Sequence, residues 1–150
     1  MRDGVWRRIV AASKVRKSPG EWRRQLTAEQ YRITREKGTE PPFSGRFVDH
    51  HGDGSYCCVA CGLVLFDSSA KYASGSGWPS FTRPVGPDSI GTELDTSLGL
   101  RRMEILCSRC DSHLGHVFDD GPQPTGRRYC VNSVSLRFEP RAASKTDCED

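Results

Sequence analysis

Two Cys-x-x-Cys pairs, Cys58-Val59-Ala60-Cys61 and Cys107-Ser108-Arg109-Cys110, constrain this chain more than any other feature. Each pair brings two sulfurs to one side of a tight turn, and two such turns meeting supply the four thiolates of a tetrahedral zinc site. The 45 residues from Gly62 to Leu106 exceed the spacing of ~15–20 in a simple two-knuckle finger, so the knuckles are expected to clamp a sizeable loop. One Zn2+ per chain, held by Cys58, Cys61, Cys107 and Cys110, would leave no position open for water or substrate and would be structural. The competing reading is a pair of redox dithiols, but such motifs usually open a helix, unlike these.

A clamp suits the composition. With 15 Gly and 9 Pro in 150 residues and only 35% hydrophobic residues, the chain is loop-rich and its core is thin. The cysteine count of seven is odd, so complete pairing within one chain is impossible, and a reducing compartment, the cytoplasm, is expected. The longest largely apolar run, Cys57 to Phe66, falls far short of the ~18–20 residues of a membrane span. A formal charge of +3 does not by itself argue for nucleic acid. Six basic residues and one acid between Met1 and Ser18 form the one basic cluster, readable as a basic amphipathic helix or as an organelle-targeting segment.

Ser18-Pro19-Gly20-Glu21 places an N-cap, a Pro at the first helical position and a Glu at N3, which predicts a short helix to about Gln25. Thr27 then caps a second helix over Ala28 to Lys37, stopped by a left-handed Gly38. Short β-like runs follow at Ser55–Ala60, Gly62–Phe66, Met103–Leu106, His116–Phe118 and Tyr129–Phe138. In the last, Cys130, Asn132, Val134, Leu136 and Phe138 share one face by strand alternation. Residues Thr82 to Gly99 read as an irregular surface excursion, and 141–150 as a polar tail. The expectation is a mainly antiparallel β domain with short N-terminal helices.

Three cysteines remain: Cys57, Cys130 and Cys148. Cys130 follows Arg127-Arg128-Tyr129, and nearby guanidinium charge raises a thiol's thiolate fraction. It is the best nucleophile candidate, against the reading of a small buried hydrophobe. Asn132, on the same face, can hydrogen-bond whatever Cys130 attacks. His113 and His116 offer imidazoles, with Asp119 and Asp120 as a possible carboxylate orienter or simply turn residues. The two His are equally readable as spare zinc ligands or surface residues. Trp78, after the flexible Ser74-Gly75-Ser76-Gly77, presents an indole that is ordinarily a core residue. There is no Gly-rich phosphate loop followed by Lys and no dinucleotide fingerprint, so any electrons must come through thiols.

Taken together, Gly38-Thr39-Glu40-Pro41-Pro42-Phe43-Ser44-Gly45, Ser74 to Phe81, His113 to Pro122 and Thr125 to Ser133 resemble the B-type methionine-R-sulfoxide reductase family. The resemblance covers 26–140, leaving 1–25 as a basic extension and 141–150 as a tail. It implies two antiparallel sheets clamped by a four-cysteine zinc site, and repair of methionine R-sulfoxide in peptides and proteins. It also implies a partnership with thioredoxin or another thiol reductant; a monomer is expected, with no membrane partner on the strength of the short apolar runs, and nucleic acid is disfavoured by the small net charge. Carried over residue by residue, Cys130 is the nucleophile, Trp78 the wall of the methyl pocket, and His113, His116, Asn132 and Arg128 the polar surround. Two departures stand out. Ser76 occupies a place where many members carry a resolving Cys, which leaves Cys148, Cys57 or an external thiol to resolve a sulfenic acid; Cys148 is the candidate within the chain. Leu98-Gly99-Leu100 stands where the family often has His-Gly-Met. The rival reading is a zinc-stabilised binding module without catalysis.

Overall fold

The computed structural model describes residues 14–141. Both expected caps are present. Ser18 and Thr27 each accept from the N3 amide while Glu21 and Gln30 reach back to the cap backbone, setting α1 (Pro19–Gln25) and α2 (Ala28–Arg35). The stop of α2 differs from expectation: Lys37, not Gly38, is left-handed (φ 59°). Gly38 serves close approach instead, since a Cβ there would lie 3.0 Å from the Arg32 carbonyl oxygen. Residues 14–18 are not helical, and residues 1–13, with most of the basic cluster, lie outside the described region.

Among the described residues nine strands form two antiparallel sheets. The smaller orders β1 (Gly54–Cys58) between β2 (Val64–Asp67) and β9 (Leu136–Pro140). The larger runs β3 (Lys71–Tyr72), β4 (Ser80–Phe81), β8 (Arg128–Val131), β7 (His113–Phe118), β6 (Arg102–Cys107) and β5 (Ile90–Asp95). The sheets meet through aromatic rings: Phe66 stacks on Phe81 at 4.3 Å, and Tyr56 meets Phe81 edge-on at 5.1 Å. Leu65, Ile105, Leu114, Val131 and Leu136 complete the core. Trp22 of α1 joins it at 2% exposure, with the Arg35 guanidinium 4.6 Å from its ring.

Two sequence expectations are corrected. The segment expected to be irregular contains β5, the edge strand of the larger sheet, registered residue for residue against β6 from Ile90↔Cys107 to Asp95↔Arg102. Its alternation is masked because three of its six residues are exposed. The run expected to be one strand to Phe138 breaks after Val131 into a 3-10 turn, Ser133–Ser135, which hands the chain from the larger sheet to the smaller. The cause is a buried carboxylate: Glu40 accepts from the amides of Ser133 (2.8 Å) and Val134 (3.0 Å), satisfying them outside any ladder.

Candidate active site

The four knuckle sulfurs lie within 4.8 Å of one another, with Cys58–Cys110 at 3.6 Å and Cys61–Cys107 at 3.5 Å. A tetrahedral zinc with Zn–S bonds near 2.3 Å places its sulfurs about 3.8 Å apart, so the cluster fits that ion. Cys58 ends β1 and Cys107 ends β6, so this cluster ties the two sheets together. The N-terminal segment and both helices are fastened to it, Val15 by its backbone and Gln25 and Arg35 by their side chains. Val15 donates to Arg109 O (2.7 Å), Gln25 Nε2 to Ala60 O (2.5 Å) and Arg35 to Cys110 O (2.8 Å).

Cys130 lies elsewhere, on β8, opposite Ser80 of β4 and His116 of β7. It opens into a cavity of about 250 Å³ whose walls include Ser76, Trp78, His116, Arg128 and Asn132. The strands close tightly behind it, since a Cβ on Gly115 would sit 1.9 Å from the Cys130 carbonyl oxygen. Gly77 (φ +97°) makes the sharp bend before Trp78, whose indole N–H donates to Glu40 O at 3.0 Å. Asn132 precedes the 3-10 turn without capping it through its side chain; its Oδ1 accepts from Glu40 N (3.0 Å) and its Nδ2 donates to Leu114 O (3.2 Å). Glu40 thereby holds Trp78, Asn132 and the turn together. The sequence motif contains this residue but gives it no role.

Electrostatics depart from the expectation for a thiol beside two arginines. Burial dominates and pushes the Cys130 thiol up, while Arg128 and the Ser76 hydroxyl draw it partly back. Arg127 is exposed. Arg128 is itself paired, donating to both carboxylate oxygens of Asp120 at 2.9 and 3.1 Å, with its guanidinium 4.5 Å from the Phe118 ring. Asp120 is therefore an Arg128 partner rather than the orienter of a histidine.

His113 and His116 are three apart, a spacing that puts side chains on opposite faces of a regular strand. A register shift between Ile105 and Leu106 opposite β7 brings their rings to 5.6 Å instead. Each ring then meets a carboxylate that sequence reading did not single out. His113 Nδ1 is 2.6 Å from Glu104 Oε2, itself 1% exposed. Burial holds His113 below the ordinary imidazole range although Glu104 opposes this. His113 is buried and does not line the cavity, whereas His116 does. His116 Nε2 is 2.8 Å from Asp95 Oδ2. Of the remaining thiols, Cys57 is fully buried and disulfide-bonded, and Cys148 lies outside the described residues. Among the described residues no helix is long and apolar enough to cross a membrane.

The model of the SelR domain matches residues 26–140. Relatives carrying the name peptide methionine sulfoxide reductase MsrB match nearly the whole of their own lengths. The Hahella chejuensis protein is 63% identical over 125 residues, 83% of this chain and 90% of its own. That of Chromohalobacter salexigens is 59% identical over 130 residues, 86% of this chain and 98% of its own. That of Methanosarcina barkeri is 52% identical over 136 residues, 91% and 96% respectively. With a SelR domain across its β architecture and relatives this similar along it, the chain belongs to the MsrB family of peptide methionine sulfoxide reductases.

Proposed function

We propose that this protein reduces methionine R-sulfoxide, carried in peptides or proteins, to methionine, with Cys130 as nucleophile. Methionine sulfoxide reduction is the activity that family membership supports. The observation that carries the finer reading is a half-buried thiol sharing one small cavity with an imidazole and an indole. A sulfoxide sulfur is electrophilic but accepts a nucleophile poorly until its oxygen is protonated, so a thiolate and a proton donor must act together. Cys130 and His116 are neighbours across β7 and β8.

In the reaction the Cys130 thiol gives up its proton and the thiolate attacks the sulfoxide sulfur. The substrate S–O bond breaks, a Cys130 S–O bond forms, and the proton ends on that oxygen. Two electrons pass to the substrate sulfur, methionine leaves, and Cys130 remains as a sulfenic acid. Protonation gives the S-methyl sulfur cationic character, which the Trp78 face favours by about 0.5–2 kcal/mol. Asn132, held by Glu40 and Leu114, supports the wall of the pocket. Thioredoxin or another dithiol then returns two electrons, releasing water and a disulfide. Zinc on Cys58, Cys61, Cys107 and Cys110 would supply a structural cross-link only.

Cys130→Ser should lower methionine release from an R-sulfoxide peptide by about 10³-fold or more, because a hydroxyl is hardly ionised at neutral pH. Fold and metal content should be unchanged, and the S-sulfoxide peptide should be inert with the wild type. Substantial turnover by Cys130→Ser overturns the reading.

A further inference from the structure

Asp95 ends the edge strand β5, three strands from Cys130, yet its side chain reaches His116, a wall of the catalytic cavity. Its Oδ1 accepts from the Ser97 amide at 2.9 Å, which anchors the carboxylate. Its Oδ2 faces His116 Nε2 at 2.8 Å and Arg102 Nη2 at 3.5 Å. The imidazole is 12% and the carboxylate 18% exposed, so the contact is largely sheltered from water. An ionised carboxylate can only accept, so Nε2 must carry the hydrogen in this contact. The neutral ring is then fixed as one tautomer, with its lone pair on Nδ1.

We propose that Asp95 is a positioning residue for the reaction given above: by occupying Nε2 of His116, it makes Nδ1 the nitrogen that exchanges the reacting proton. The inference rests on the reductase reading. Nδ1 takes the proton of the Cys130 thiol as the thiolate forms. The resulting imidazolium returns that same proton to the sulfoxide oxygen as the sulfur is attacked. One proton moves from sulfur to oxygen, the imidazole is regenerated, and Asp95 is unchanged. Since burial disfavours the Cys130 thiolate, a nearby base with a fixed lone pair is what the thiol requires. The ionisable groups around the ring are Asp95 from β5, Arg102 and Glu104 from β6, His113 from β7, and Arg128 and Cys130 from β8. Among them Asp95 is the carboxylate in contact with His116; Glu104 is taken by His113 and Lys37, at 2.6 and 3.3 Å.

The tautomer is read directly from nitrogen chemical shifts of ¹⁵N-histidine-labelled protein in its resting state. The wild type should give His116 as the Nε2–H form, and Asp95→Ala should give a mixture or the Nδ1–H form. In single-turnover assays on an R-sulfoxide peptide, Asp95→Ala should slow sulfenic acid formation roughly 10- to 100-fold with little change in KM. Asp95→Glu should restore part of the rate, and Asp95→Asn, which keeps the side-chain volume, serves if the alanine variant does not fold. An Nδ1–H tautomer in the wild type, a wild-type rate in the variants, or a loss confined to KM overturns the inference. A folded wild type with no activity on any sulfoxide peptide instead overturns the reductase reading on which it rests.

Discussion

Single residues at this site act through partners far along the chain. His113 illustrates the energetics: burial lowers its proton affinity below that of an exposed imidazole, although Glu104 pulls the other way. As the pH falls, the unfolded chain therefore takes up this proton before the folded one does. The contribution of His113 to stability is complete above about pH 6.5 and is lost as the pH drops through its depressed folded value. Urea unfolding at descending pH should show stability falling across that window, with a shallower slope in His113→Gln; equal slopes in the two proteins would exclude His113 as the source. Cys130, Trp78, His116, Arg128 and Asn132 were legible because they sit in recognisable short motifs, and strand pairing brings them to one cavity. Asp95 and Glu40 were not legible in this way. Asp95 is 21 positions from the ring it holds, and Glu40 is 93 from the Ser133 amide it caps. Neither pairing leaves a local pattern.

At the scale of elements, local signals were read most reliably. Both capping boxes define their helices, and the short β runs near the knuckles correspond to β1, β2 and β6 within a few residues. What alternation could not disclose was the break between β8 and β9, because a buried carboxylate from another segment competes with the ladder there. Nor could it disclose the bulge that turns two histidines to one side. The closeness of β7 and β8 can be tested. In Gly115→Ala the new methyl meets the Cys130 carbonyl at 1.9 Å, and the backbone must part. The variant should lose about 2–3 kcal/mol in urea unfolding. Its kcat should fall as well, since the strand carrying the nucleophile moves away from His116; wild-type stability would show that the strands have room.

Across the whole molecule, the backbone passes between the two sheets through the 3-10 turn, and the thiol cluster brings them together a second time, with Cys58 from one sheet and Cys107 from the other. Metal analysis of the wild type should find one zinc per chain. Cys58→Ser or Cys110→Ser should release it and lower stability by about 3 kcal/mol or more, on the order of 10 °C in melting temperature. Unchanged melting would assign the cluster to dithiol chemistry instead. Val15, Gln25 and Arg35 brace the same knuckles, and Trp22 fills the core beside them, so loss of metal should also loosen the N-terminal packing. Ser76 faces the cavity, and Cys130 is the one cysteine in its described wall. Among the described residues no second cysteine of the wall stands ready to capture an oxidised Cys130, so a thiol from elsewhere must reach it. Under sustained peroxide, the time this takes is the interval in which a sulfenic acid advances to sulfinic acid, so the abundance of reductant would set how long each enzyme molecule survives.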